Sequence, residues 1–87
     1  MDEYEITILN HRFIPELLVI PVDQKIKLII YNQDSEAEEF ESFDLKREKI
    51  VPAQTKIKLN IGPLKPGEYK FFGDFHSETA KGIIIVN

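Results

Sequence analysis

Six carboxylates crowd eleven consecutive residues, Asp34, Glu36, Glu38, Glu39, Glu41 and Asp44, and no Lys or Arg interrupts them before Lys46. Further along, Asp74 and His76 stand two residues apart, followed by Ser77-Glu78-Thr79. Carboxylate oxygens and imidazole nitrogens suit ferrous, ferric, cupric, manganese or zinc ions. Two readings of the acidic run are open. It supplies ligands to an open carboxylate–His metal site, or it is a solvated edge that discourages edge-to-edge strand pairing. Softer chemistry is excluded, because the chain has no Cys and its single Met is Met1. Ser77 and Glu78 beside His76 are too local to build a nucleophilic triad. With no phosphate loop and no nucleophile elbow either, the sequence predicts no enzyme.

These side chains need a frame to hold them, and its size is bounded. The 87 residues make one domain, 1–87. The net charge of -4 offers no basic patch for nucleic acid. No apolar run reaches the roughly 18 residues a membrane-spanning helix needs. Met1-Asp2-Glu3-Tyr4 is acidic where a leader would be basic. A cytosolic protein and a mature fragment with a start Met are both consistent with that.

Strand patterns dominate. Tyr4, Ile6 and Ile8 alternate with polar residues, and Leu17-Leu18-Val19-Ile20 is a short apolar run closed by Pro21. Ile26, Leu28 and Ile30 share one face, as do Ile57, Leu59 and Ile61. Tyr69, Phe71 and Phe75 mark the next strand and its loop, and Ile83 to Val86 closes the series. Phe13, Phe40, Phe71, Phe72 and Phe75 read as core residues. Residues 33–39 and 44–49 have room for one helical turn. Roughly seven strands between turn signals predict an all-β Greek-key sandwich. One register is undecided: with Phe43 inward, Glu39 and Glu41 are buried, whereas with Phe40 inward they are ordinary surface groups. His11, ahead of Arg12-Phe13, reads as a structural or surface imidazole, with a metal role the lesser alternative.

Several motifs carry a family resemblance. Tyr69-Lys70-Phe71-Phe72-Gly73-Asp74-Phe75-His76, between Pro66-Gly67 and Lys81-Gly82-Ile83, resembles the metal-ligand loop of a cupredoxin. His11-Arg12-Phe13-Ile14-Pro15 and Tyr31-Asn32-Gln33-Asp34 resemble the opening and the third-strand end of small cupredoxin-like domains. Together with Glu38-Glu39-Phe40-Glu41-Ser42 and Leu45-Lys46-Arg47-Glu48-Lys49, they look like a bacterial subgroup. It comprises small periplasmic cupredoxin-like proteins and iron-uptake lipoprotein domains associated with iron permeases.

The resemblance implies a single cupredoxin-like Greek-key β-sandwich, located in the periplasm. In the family the position of Gly73 is normally Cys, a Met follows the His, and a first His stands where this chain has Glu38 or Glu39. Ala80 lies near the Met position. A blue-copper centre lacks its thiolate here. What the resemblance implies instead is a site for an iron or copper ion. His76 would be its imidazole ligand, Glu38, Glu39 and Asp74 its carboxylate ligands, and Glu41 would orient them or ligate directly. The partner implied is a membrane iron permease or another uptake component. Separately, one chain is short of ligands, and a homodimer sharing the site through its acidic ends would complete the coordination. The competing readings are a metal-free interaction module on the same scaffold and an electron carrier with unusual ligation.

Overall fold

Period-two alternation places half of each strand in a shared core, and the computed structural model, which describes residues Met1–Asn87, contains nine such strands. They are β1 (Asp2–Leu9), β2 (Arg12–Ile14), β3 (Leu17–Ile20), β4 (Ile26–Asn32), β5 (Glu38–Ser42), β6 (Arg47–Val51), β7 (Lys56–Ile61), β8 (Gly67–Gly73) and β9 (Lys81–Val86). One sheet has the order β2-β1-β4-β7 and the other β3-β9-β8-β5-β6. The strands in excess of seven are short. The three-residue β2 folds back on β1, and Arg47–Val51 pairs with β5 where a helical turn had room to form. The only helical turn is a 3-10 turn at Asp74–His76.

The sheets face each other across Ile6, Ile8, Ile26, Leu28 and Ile30 on one side and Ile20, Phe40, Phe71 and Ile84 on the other, all at most 2% exposed. Phe13 joins them, with ring centroids 4.9 Å from Phe71 and 6.2 Å from Phe40 in edge-on arrangements. Two aromatics expected in the core lie outside it. Phe72 alternates with the buried Phe71 and packs on Phe43 instead, at 5.5 Å. Phe75 sits on the 3-10 turn beyond the strand and is half exposed.

Phe40 also settles the register of β5. It is fully buried and Phe43 is exposed, so Glu38, Phe40 and Ser42 point inward while Glu39 and Glu41 point outward. Pairing of Phe40 with Gly73 brings the 3-10 turn beside the start of β5. The parallel pairing of β1 with β4 sets Ile8 opposite Asn32, so the chain after Leu9 and the chain after Asn32 emerge at that same pole.

Candidate metal centre

Glu38 is 1% exposed, an unusual place for a carboxylate, and every one of its bonds is local to the pole. Its Oε1 accepts the backbone N–H of Glu39 at 2.9 Å and of Phe75 at 2.8 Å. Its Oε2 lies 2.8 Å from Nδ1 of His76. An ionised carboxylate can only accept, so Nδ1 donates to it, and in the neutral ring Nε2 keeps its lone pair. Nδ1 is the only atom of that ring that is hydrogen-bonded. No buried side-chain nitrogen or oxygen in the chain lacks a partner.

His11 comes to the same place from the β1–β2 turn. Asn10 and His11 both adopt left-handed backbone, φ 53° and 58°. Asp34 holds that turn, its two oxygens accepting the N–H of Asn10 at 2.8 Å and of His11 at 2.9 Å. From the other side Thr79 Oγ1 donates to the His11 carbonyl. The His11 ring stacks on His76 with centroids 3.6 Å apart and planes 10° from parallel. His11 Nε2 lies 3.0 Å from Oε1 of Glu36. The buried Asn32 organises the loop that carries Glu36. Its Nδ2 donates to the carbonyls of Glu36 and Val51, and its Oδ1 accepts from the N–H of Asp34. One donor atom each from His11, Glu36 and His76 falls within 4.8 Å of the others. The two rings and residues 75 and 77–79 line a polar cleft of about 360 Å³.

The five ligands implied by the resemblance thus separate into two groups. Glu38 and His76 meet inside the pole. Glu39, Glu41 and Asp74 meet on the outer face of the sheet, again with donor atoms within 4.8 Å. Partial burial, then the carboxylates of Glu48, Asp74 and Glu38, raise the carboxyl of Glu39 above its ordinary value. Glu41 is raised by partial burial and by Glu48, with Asp74 and Glu39 adding. Neither His11 nor Glu36 is among the ligands implied. The signal that would have found them is topological: parallel pairing of the first and third apolar strands puts both turns at one pole.

A match to the cupredoxin-like domain family runs over residues 1–86. The chain belongs to that family. An uncharacterized protein of Rickettsia prowazekii strain Madrid E, RP394, is 54% identical over 85 residues, covering 98% of this chain and 68% of its own length. Auracyanin A, a blue copper protein of Chloroflexus aurantiacus, superposes with a TM-score of 0.82 at 11% identity, over 98% of both chains. The metal-binding domain of the Cu(I)-exporting P-type ATPase CopA of Streptococcus pneumoniae D39, solved with Cu(I), gives 0.85 at 10% identity, over 98% of this chain and 84% of that one. At such identities these two structures establish the fold alone.

This cupredoxin-like domain does not fit a blue-copper centre. Gly73, which the resemblance sets at the family's Cys position, has no room for a side chain: a Cβ there would fall 2.5 Å from Glu38 Cδ and 2.8 Å from the Ala80 Cβ. The Glu38 carboxylate fills the space a thiolate would need. Ala80, near the position where the resemblance expects Met, is fully buried and has no donor to offer.

Proposed function

We propose that this domain binds a transition-metal ion, iron or copper, and passes it on as a non-catalytic component of metal uptake in the periplasm. A membrane iron permease or another uptake component is its partner in this reading. The observation that carries it is the Glu38–His76 pair. Metal-ligating imidazoles almost always donate their other N–H to a carboxylate, which fixes the tautomer and raises the basicity of the ligating nitrogen. Here a buried carboxylate does so from inside the fold, and the cleft beside His76 is open to an ion. The blue copper protein and the Cu(I)-exporter metal-binding domain that share this fold agree with a role for metal.

Calorimetric titration of the purified domain with ferrous, ferric, cupric and zinc ions tests this. One bound ion per chain is expected, with affinity lost in His76→Ala. Binding unchanged in that variant would remove His76 from the site. The absence of any binding would favour the second reading, a metal-free docking module. That reading is favoured by the exposed Leu17, Val19 and Phe43 and by a pole whose buried polar atoms are all satisfied without an ion. The case for a homodimer rests on a shortage of ligands in one chain. His11, Glu36 and His76 supply three donors from one chain, which removes that motive.

A further inference from the structure

We infer that the ion sits on the outward side of His76, not in the buried position behind it that Glu38 fills, and is held by His76 Nε2, His11 and Glu36. The inference rests on the metal-binding reading above and specifies its site.

The buried position is already full. Glu38 occupies the volume in front of Gly73, and both of its oxygens are engaged by the backbone and by His76. An ion there would find no donor beyond these two groups, since Gly73 and Ala80 offer none. On the outward side the arrangement is the reverse. His76 lines the cleft beside His11 with Nε2 free of hydrogen bonds. One donor atom each from His11, Glu36 and His76 falls within 4.8 Å of the others, His11 and Glu36 coming from a separate turn and a separate loop. His11 Nε2 and Glu36 Oε1, 3.0 Å apart, already have the spacing of adjacent donors on one ion with bonds of about 2.0–2.1 Å.

The convergence is built by the backbone. Asp34 pins the left-handed Asn10-His11 turn through two amides, Thr79 ties the His11 carbonyl to the segment after His76, and Asn32 fixes the carbonyl of Glu36. Glu38 then sets the His76 tautomer from behind. Three parts of the chain distant in sequence are thereby anchored so that two imidazoles and one carboxylate share a few ångströms at the surface.

Two imidazoles and a carboxylate suit a divalent first-row ion of borderline softness, namely ferrous iron, zinc or cupric copper. They do not suit cuprous copper, which selects thiolate and thioether ligands. Three protein donors leave a position open for water or for an exchangeable ligand, the arrangement of a site that releases its ion. The stack itself must yield. Parallel rings 3.6 Å apart aim their lone pairs side by side, so His11 tilts off His76 when both ligate.

The test uses the whole domain with Zn2+ for calorimetry and nuclear magnetic resonance, and Co2+ for visible absorption. In the wild type, zinc should shift Nε2 of His76 while Nδ1 stays protonated, and should abolish the ring-current shifts of the His11–His76 stack. Glu36→Gln and His11→Ala should each weaken zinc binding by about 10- to 100-fold or more. Glu39→Gln with Glu41→Gln should leave it unchanged. Because the Glu36 side chain is 64% exposed, its Gln variant keeps the fold even where His11→Ala does not. Binding that depends on His76 but is indifferent to Glu36 and His11, or a zinc-induced shift at Nδ1, overturns this site and leaves the metal-binding reading standing. Failure of the wild type to bind any of these ions overturns both.

Discussion

Gly73 and Glu38 compete for one space. Gly73 has ordinary extended backbone, φ -95° and ψ 114°, so no unusual conformation calls for glycine there. What calls for it is the carboxylate, since a Cβ would lie 2.5 Å from Glu38 Cδ and 2.6 Å from Oε2. Gly73→Ala should therefore destabilise the domain by about 1–3 kcal/mol through overpacking. The same change in a Glu38→Ala background should cost far less, because neighbours in contact are not additive. Urea unfolding of the four proteins of that cycle measures the coupling. Additive losses would show that the two residues do not exclude each other.

Glu38→Gln separates charge from shape. The amide fills the same volume, and its oxygen still accepts from the two backbone N–H groups. Its NH2 then faces His76 Nδ1, which must become the acceptor, and the ring proton moves to Nε2. The expected result is a fold weakened by about 1–3 kcal/mol and zinc affinity reduced by about 10- to 100-fold. Imidazole nitrogen shifts should report the exchanged tautomer before any metal is added. An unchanged tautomer would mean that Glu38 does not set it.

Asn32 is fully buried and makes three hydrogen bonds that shape the loop from Asp34 to Glu36. Asn32→Ala leaves the carbonyls of Glu36 and Val51 and the N–H of Asp34 without that partner. A loss of about 2–4 kcal/mol is expected, from a penalty of about 1–3 kcal/mol for each buried group left unpaired. Zinc binding should weaken in parallel, because Asp34 and Glu36 both lose their anchor. Chemical denaturation and calorimetry on the same samples check the pair of effects. Full stability and affinity in the variant would refute the role.

The register of β5 marks where the sequence stops being informative. The alternation over Ile57–Ile61 defines its inward face unaided, because Lys58 and Asn60 hold the other positions, and over Ile26–Ile30 Lys27 does the same at the start although Ile29 does not. The segment Glu38–Leu45 has apolar residues on both faces, so its pattern is consistent with either register. Pairing with β6 and β8 decides it, a non-local fact no window of the sequence contains. The same ambiguity explains the candidate site. By sequence Glu38 and Glu39 are equivalent candidates beside His76 and Asp74, and the pleat sends Glu38 to the one and Glu39 to the other. Phe40→Ala should cost about 3–5 kcal/mol as a core truncation. Phe43→Ala, at a residue 73% exposed, should stay within about 0.5 kcal/mol of wild type. Equal losses would mean that the register is wrong.

The outer carboxylates give the domain a pH dependence whose sign follows from their raised values. In the unfolded chain Glu39 and Glu41 titrate near the ordinary 4.5, and in the folded chain they hold their protons to higher pH. Between those values the folded state binds more protons than the unfolded one, so stability falls as pH rises through the window. Below 4.5 both states are protonated and this penalty is absent. Glu48 raises both acids, and it faces Glu41 directly across the β5–β6 ladder. Glu48→Gln should therefore raise the melting temperature at pH 7, leave it unchanged near pH 4, and lose its advantage in high salt as screening weakens the repulsion. A variant no more stable than wild type at pH 7 and low salt would show that these carboxylates do not repel one another enough to matter.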